Sequence, residues 1–493
     1  MTRRAFLSSA AAALPVRATA AAPLDIGGRK QLFIDRRFIA SERGISLRVN
    51  PPRKAGPVML GERPWERGHI GSYFSVLEDG GIYKMWYMAQ GKGGHLCYAT
   101  STDGARWERP TLGVVEFEGS RVNNIVIGTF REGAVFLDPV APAHQRFKTL
   151  ASFGARRPSV LGANSNGTLM LMASPDGIQW KEEFNVLPFH PDSQNNLFWD
   201  ERTGQYLAYL RGWNPLRVAV RAAIPRERIL GPWPYTKSAN PRYLWRGLFR
   251  GGEEWPPTLS TEYPTVLAAD ENDHDSDVYT PNVQPYPWAE DVYIALPSFF
   301  RHTAAPGTEK VPMAGVLDVQ LAVSRDGLRF ERHDRRPYIP RGLAGEIDSA
   351  SVYMALGMLR RGSELYQYYA GGSADHASST PGRSALMLAV QRLDGFVSAE
   401  AGVQGGEFIT PPFVFKGSRL QINVDAAATG LVRVEIPGAQ GFELDNCEPI
   451  IANDVAHEVR WRGRPKLAAL EGKPVALRFV LHNARLFAFQ FVA

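Results

Sequence analysis

The chain has 493 residues, 11% of them aromatic, with 47 glycines, 36 prolines and a formal net charge of +6. That length predicts two or three domains, or one large domain built from repeats. Arg3, Arg4 and Arg17 belong to a leader-like start; the remaining charge of +3 is spread without basic runs, which argues against a nucleic-acid footprint.

The first elements are those of an export signal. Thr2-Arg3-Arg4-Ala5-Phe6-Leu7 pairs two arginines with an apolar step, and a small-residue run continues to Ala22, containing Ala18-Thr19-Ala20. A positive segment, an apolar segment and an Ala-x-Ala site are the parts of a signal peptide, and the paired arginines point to the twin-arginine route. Residues 1–22 are therefore expected to be a signal peptide, and the mature chain to be periplasmic or secreted. No later segment reaches the roughly 18 apolar residues of a membrane span. The two cysteines, Cys97 and Cys447, cannot form a disulfide framework and are expected to be buried small hydrophobes.

The body of the chain carries a repeated mark, Ser-x-Asp-Gly-x-x-aromatic. It occurs at Ser101–Trp107, Ser174–Trp180 and Ser324–Phe330, each time after an apolar strand-like run. Asp-Gly between strands is a strong hairpin signal, because glycine takes positive φ without strain and the aspartate binds the turn backbone. Weaker copies are Gly231-Pro232-Trp233 and Asp394-Gly395-Phe396. Five widely spaced marks suit the blades of a β-propeller, with the Asp-Gly turns in outer hairpins and no catalytic part in them. The strand Gln31–Ile39 is expected either to close a blade or to pack on the second domain. From Gly406 onward, strand-length runs such as Leu420–Val424, Leu431–Ile436 and Leu486–Phe491 follow at short, even spacing, as in a small β-sandwich. The expected architecture is thus all-β: a five-bladed propeller over residues 23–405 followed by a C-terminal β-sandwich over 406–493.

In a propeller the loops leading into the innermost strands form the mouth of the central tunnel. Each expected blade offers a carboxylate near such a position: Glu66, Asp138, Asp192, Asp277 and Glu346. Convergent carboxylates serve glycosidic cleavage, in which one protonated acid meets the leaving oxygen and one ionised group acts opposite it. Trp65, Tyr73, Tyr279 and Trp288 offer faces for sugar rings, and His69, Gln194, Asn195 and Asn282 offer polar contacts in the same loops. Asp273, Asp275 and Asp277 alternate as calcium ligands do, but the glycine and distal glutamate of an EF-hand are missing. No zinc, phosphate-loop or nucleophile-elbow motif occurs, so no cofactor or metal is expected.

Gln31–Asp35, Asp192–Asp200, Val283–Pro287 and Gly472–Val475 resemble segments of secreted bacterial propeller proteins related to glycoside hydrolase family 32. The resemblance covers most of the mature chain and implies a five-bladed propeller with a carbohydrate ligand. The Trp-Met-Asn-Asp-Pro-Asn-Gly, Arg-Asp-Pro and Glu-Cys signatures of the invertase-like enzymes are absent; only Asp138-Pro139 keeps part of the second. By blade position the resemblance implies Glu66 as nucleophile or base, Asp138 as stabiliser and Asp192 as acid. The Asp-Gly marks also resemble those of sialidases, whose arginine triad cannot be assembled from the sequence. The reading is an exported glycoside hydrolase acting on oligo- or polysaccharides, with a non-catalytic carbohydrate-binding propeller and an interaction protein as alternatives.

Overall fold

A computed structural model describes residues 22–89, 94–130, 132–152, 169–187, 191–213, 216–234, 263–303, 314–376, 378 and 382–493. All but the last residue of the expected leader lies outside them.

Five antiparallel blades follow one another along the chain. Blade one orders Ile70–Asp79, Ile82–Ala89, His95–Ser101 and Ile125–Ile127. Blade two orders Val135–Leu137, Phe147–Ser152, Leu169–Ser174 and Lys181–Leu187. Blade three orders Asn196–Asp200, Gln205–Trp213, Arg217–Pro225 and Thr265–Leu267. In blade four three bent segments pair twice, as Ser276–Thr280 with Ser298–His302 and Gly315–Val319, then as Val283–Pro285 with Tyr293–Ala295 and Ala322–Ser324. Blade five orders Ser351–Met354, Glu364–Gly372 and Ser384–Arg392, and takes its outer strand, Arg53–Leu60, from the start of the propeller. The protein is all-β, a five-bladed propeller followed by a β-sandwich. Closure of the last blade by an early strand joins the ends of the ring and covers the outer edge of Ser384–Arg392.

The Asp-Gly turns follow the third strand of their blades, on the rim. In each, the glycine amide donates to the serine Oγ (2.8 to 2.9 Å), and one aspartate oxygen accepts two backbone amides at 2.8 to 2.9 Å. The turn glycine also joins blades. Trp86 Nε1 of blade one donates to Gly177 O at 2.7 Å, Tyr209 of blade three donates to Gly327 O at 2.7 Å, and Tyr368 of blade five donates to Gly104 O at 2.6 Å. Gly177 has φ +80, and a Cβ there would meet the Trp86 ring at 2.3 Å, so glycine is required for the seam. At the fifth mark, Asp394 is fully buried and accepts from Tyr286 (2.6 Å) and Lys30 (2.9 Å).

The sandwich is an eight-stranded sheet curled over a core rich in phenylalanine, including Phe33, Phe408, Phe413, Phe479, Phe489 and Phe491. Its long strands Arg419–Glu435 and Arg478–Val492 pair along their lengths. Gln31–Leu32, Ser41–Arg43 and Ser46–Val49 belong to this sheet, as does Val397–Ala401. The N-terminal segment thus packs on the sandwich, while the strand after it closes the propeller. Leu32 and Ile34 also enter a core shared with blades four and five. Cys97 and Cys447 are buried free thiols, and burial pushes both thiols upward in pKa.

Candidate functional site

The first strands of the blades surround the axis, and short bonds tie them into a ring. Val135 N donates to Ser75 Oγ (2.9 Å), Asn195 N to Glu132 O (3.4 Å), Ser193 Oγ to Tyr279 O (2.9 Å), and Val76 N to Leu356 O (2.8 Å). Asn282 of blade four donates to both Met354 O and Ala355 O of blade five at 2.9 Å, and Gln194 of blade three reaches Phe74 O of blade one at 3.2 Å. Gln194, Asn195 and Asn282 are fully buried and act as ties between blades.

At the starts of these strands the backbone is strained. Arg67, Glu132, Asp192, Ser193 and Asp275 have φ of +50, +63, +64, +68 and +44, in segments leading into blades one to four. Non-glycine residues held in the left-handed region cost free energy and persist where the surroundings fix them, often at functional sites.

The side chains that meet there are arginines, tyrosines and aspartates. Asp192, with its side chain 36% exposed, is ion-paired to Arg211, which is 1% exposed. Arg211 lies 4.2 Å from the centre of the Tyr279 ring and also donates to the Tyr279 carbonyl. Burial alone would lower the Arg211 pKa, but Asp192, Tyr279, Tyr73 and Asp277 raise it overall, so the guanidinium is permanently charged. Tyr353 makes edge contacts with Tyr73 and Tyr279, at 6.0 and 5.8 Å between ring centres. Burial pushes all three phenols up in pKa and keeps them protonated as donors. Tyr279 hydroxyl and His376 Nε2 share a hydrogen bond of 2.8 Å.

Beside this cluster opens a cavity of about 460 Å³ between blades one and five, lined by Arg67, His69, Ser72, Ser351, Tyr353, Asp375, His376 and Arg383 among others. Tyr353 and His376 belong to both cavity and cluster, so the two are continuous. Burial lowers the pKa of His69, which favours its neutral form.

The expected carboxylates divide sharply. Asp192 pairs with Arg211, whereas Asp277 is buried inside its strand and bonded to Arg217 at 3.0 Å. Glu66 is fully buried and turned into blade one, accepting from Arg63 N (2.9 Å), Tyr87 (2.7 Å) and Arg109 (2.9 Å). It anchors the loop that carries Arg67 and His69. Asp138 is buried against Lys148 and Tyr206, both at 2.7 Å. It follows the inner strand Val135–Leu137 instead of preceding it, which puts it at the opposite end of the blade from Glu132. A convergence of Glu66 and Asp138 with Asp192 is therefore corrected: both are held by cations away from the mouth. Glu346 is exposed, and its carboxylate accepts from Leu343 N (2.7 Å) to close a turn. Trp65 donates to Asn124 (2.9 Å) and packs on the blade-one core, and Trp288 packs on Tyr286, so neither presents a free face at the mouth.

Sequence reasoning did not single out Glu132, Arg211, Tyr353, His376 or Arg383. A signal for Arg211 was available: Tyr206–Trp213 is an apolar strand interrupted by one arginine, and such a charge inside a blade needs a partner. Among the described residues no group of three or more His, Cys, Asp or Glu is arranged to hold a metal ion, and no helix is long and apolar enough to cross a membrane.

No protein-family profile and no curated sequence matches the chain. Among solved structures, an N-acetylgalactosamine deacetylase from F. plautii is similar at 13% identity and a TM-score of 0.45, over 71% of this chain and 96% of its own. An α-L-arabinofuranosidase from Podospora anserina, in complex with cellotriose, aligns at 12% identity and a TM-score of 0.43, over 70% and 98%. A β-1,2-mannobiose phosphorylase from Listeria innocua aligns at 11% identity and a TM-score of 0.42, over 71% and 97%.

Proposed function

We propose that this protein is an exported glycoside hydrolase-like enzyme that cleaves glycosidic bonds of oligo- or polysaccharides at the axial mouth of the propeller. The observation that carries this reading is Asp192: a partly exposed carboxylate on strained backbone, set against a buried arginine where the inner strands meet. Glu132 begins the neighbouring blade with the same left-handed backbone, joined to the Asp192 loop through Asn195 N. Two carboxylates from adjacent blades can divide the work of glycoside hydrolysis. In this assignment Asp192, beside a permanent positive charge, is the anionic base or nucleophile instead of the acid that the family resemblance implies, and Glu132 is the proton donor. Tyr73, Tyr279 and Tyr353 supply phenol donors and ring edges for a sugar, and the cavity between blades one and five receives the adjoining residues of the chain.

One observation favours a second reading, a carbohydrate-binding propeller without turnover. Glu66 and Asp138 are neutralised in buried pairs, leaving fewer carboxylates at the mouth than five blades offer. Assay of the mature protein against a saccharide panel, with Asp192→Asn and Glu132→Gln alongside, separates the two. Turnover abolished by either substitution supports hydrolysis; saccharide binding without turnover in the unaltered protein supports the second reading.

A further inference from the structure

The cavity beside the tyrosine cluster is charged in a way the cleavage chemistry does not need. Arg67 and Arg383 line it together with His69 and His376, against a single carboxylate, Asp375. That carboxylate accepts from the Gly315 amide at 3.3 Å and so is engaged by backbone. The two arginines come from opposite walls. Arg67 is carried by the loop that Glu66 anchors on blade one; Arg383 stands at the start of the third strand of blade five. The guanidinium of Arg67 is 2.8 Å from Glu118, in a pair whose side chains are 42% and 61% exposed. Arg383 donates to the Gly345 carbonyl at 2.6 Å, at the surface. Exposed pairs of this kind are weak, so a ligand anion can replace Glu118 at little cost. Guanidinium groups also match the planar oxygens of a carboxylate or the oxygens of a sulfate, with charge-assisted hydrogen bonds.

We propose that the cavity selects an anionic saccharide, one carrying a carboxylate or sulfate group, and holds that group between Arg67 and Arg383 while the adjoining linkage faces Asp192. This rests on the reading of the mouth as a saccharide site and names its substrate class. The side of the mouth that carries Asp192 and Glu132, from blades two and three, faces the bond to be cleaved. The basic side, from blades one and five, faces the substituent. Tyr353, which lines the cavity and meets the Tyr279 ring edge-on at 5.8 Å, stands between them.

The test is equilibrium binding by calorimetry with the full-length mature protein, using uronate oligosaccharides, sulfated oligosaccharides and neutral oligosaccharides of equal length. At least one anionic series is expected to bind about tenfold more tightly than the neutral one, with the preference shrinking as salt is raised. Whichever anionic series binds identifies the group. Arg383→Ala and Arg67→Asn, the latter tolerated at positive φ, are each expected to reduce the anionic-to-neutral affinity ratio about fivefold or more. Equal affinity for neutral and anionic series, or an unchanged ratio in both folded variants, overturns the proposal. Asp192-dependent turnover of neutral saccharides with no anionic preference would remove this inference and leave the hydrolase reading standing. Selective anionic binding without turnover would do the reverse.

Discussion

The rim and the axis of this propeller are built on opposite plans. On the rim, Asp103, Asp176 and Asp326 repeat one hydrogen-bond pattern to within a tenth of an ångström or so, and the glycine beside each receives an aromatic donor from the preceding blade. At the axis the blades present differing residues in differing settings: Arg67, Glu132, the ion-paired Asp192, Asp275 and the exposed turn of Glu346 stand in corresponding places. Repetition serves closure of the ring, because each seam faces the same packing problem. Difference suits the proposed saccharide chemistry, because a bound sugar would have no fivefold symmetry.

If that division is right, substitutions on the axis change activity and substitutions on the rim change stability. The largest effect is expected at Asp192. Asp192→Asn keeps the shape and tolerates the left-handed backbone, so circular dichroism should report an intact fold while saccharide turnover falls on the order of 10²–10⁴-fold. Full turnover in that variant would place the chemistry elsewhere.

The locked carboxylates sharpen the contrast, since they occupy loops near the axis but are expected to behave like the rim. Asp138→Ala strands Lys148, whose side chain is 2% exposed. Breaking one side of a buried pair costs about 3–5 kcal/mol. The lower end is expected, because burial already lowers the Lys148 pKa and eases loss of its proton. A shift in the urea midpoint, with turnover per folded molecule retained, is the expected result; loss of turnover at full stability would return Asp138 to the active site.

A smaller effect is expected at a seam. Gly177→Ala would force a Cβ into the Trp86 ring at positive φ. About 1–3 kcal/mol of stability should be lost, read by thermal unfolding, without a change in saccharide affinity. A neutral outcome would mean that the seam between blades one and two is slack.

The smallest effect is a shared acid sensitivity of the rim. The Arg106 and Ala105 amides hold the Asp103 carboxyl far below its usual range; in Asp176 and Asp326 burial pulls upward, but the amide bonds outweigh it and the net shift is also downward. A carboxylate with a lowered folded pKa adds stability that is complete above its unfolded value, about 3.9, and is lost as pH falls through the folded value. Urea midpoints are therefore expected to be level from about pH 7 to 5 and to fall below about pH 4. Replacing all three aspartates by asparagine should flatten that fall, and an unchanged acid limb would assign it to other groups.

What the sequence determined by itself was the rim and the strands. Ser-x-Asp-Gly-x-x-aromatic closes its hydrogen bonds within seven residues, and alternating apolar strands bury one face whatever lies opposite, so three full marks with two weaker copies, and from them five blades, could be read without coordinates. The carboxylate at Asp192 was legible too, as a polar run ahead of an apolar strand. Its partner was not. Arg211 lies 19 residues further on, while Tyr279, Tyr353 and His376 reach the same point from two other blades. Only closure of the ring brings them together, and that closure depends on Arg53–Leu60 pairing with Ser384–Arg392 across most of the chain. Tertiary structure likewise decided that Glu66 and Asp138 face cations. A carboxylate ahead of a strand looks the same in sequence whether it meets solvent or a buried arginine, because its fate depends on a side chain from another strand.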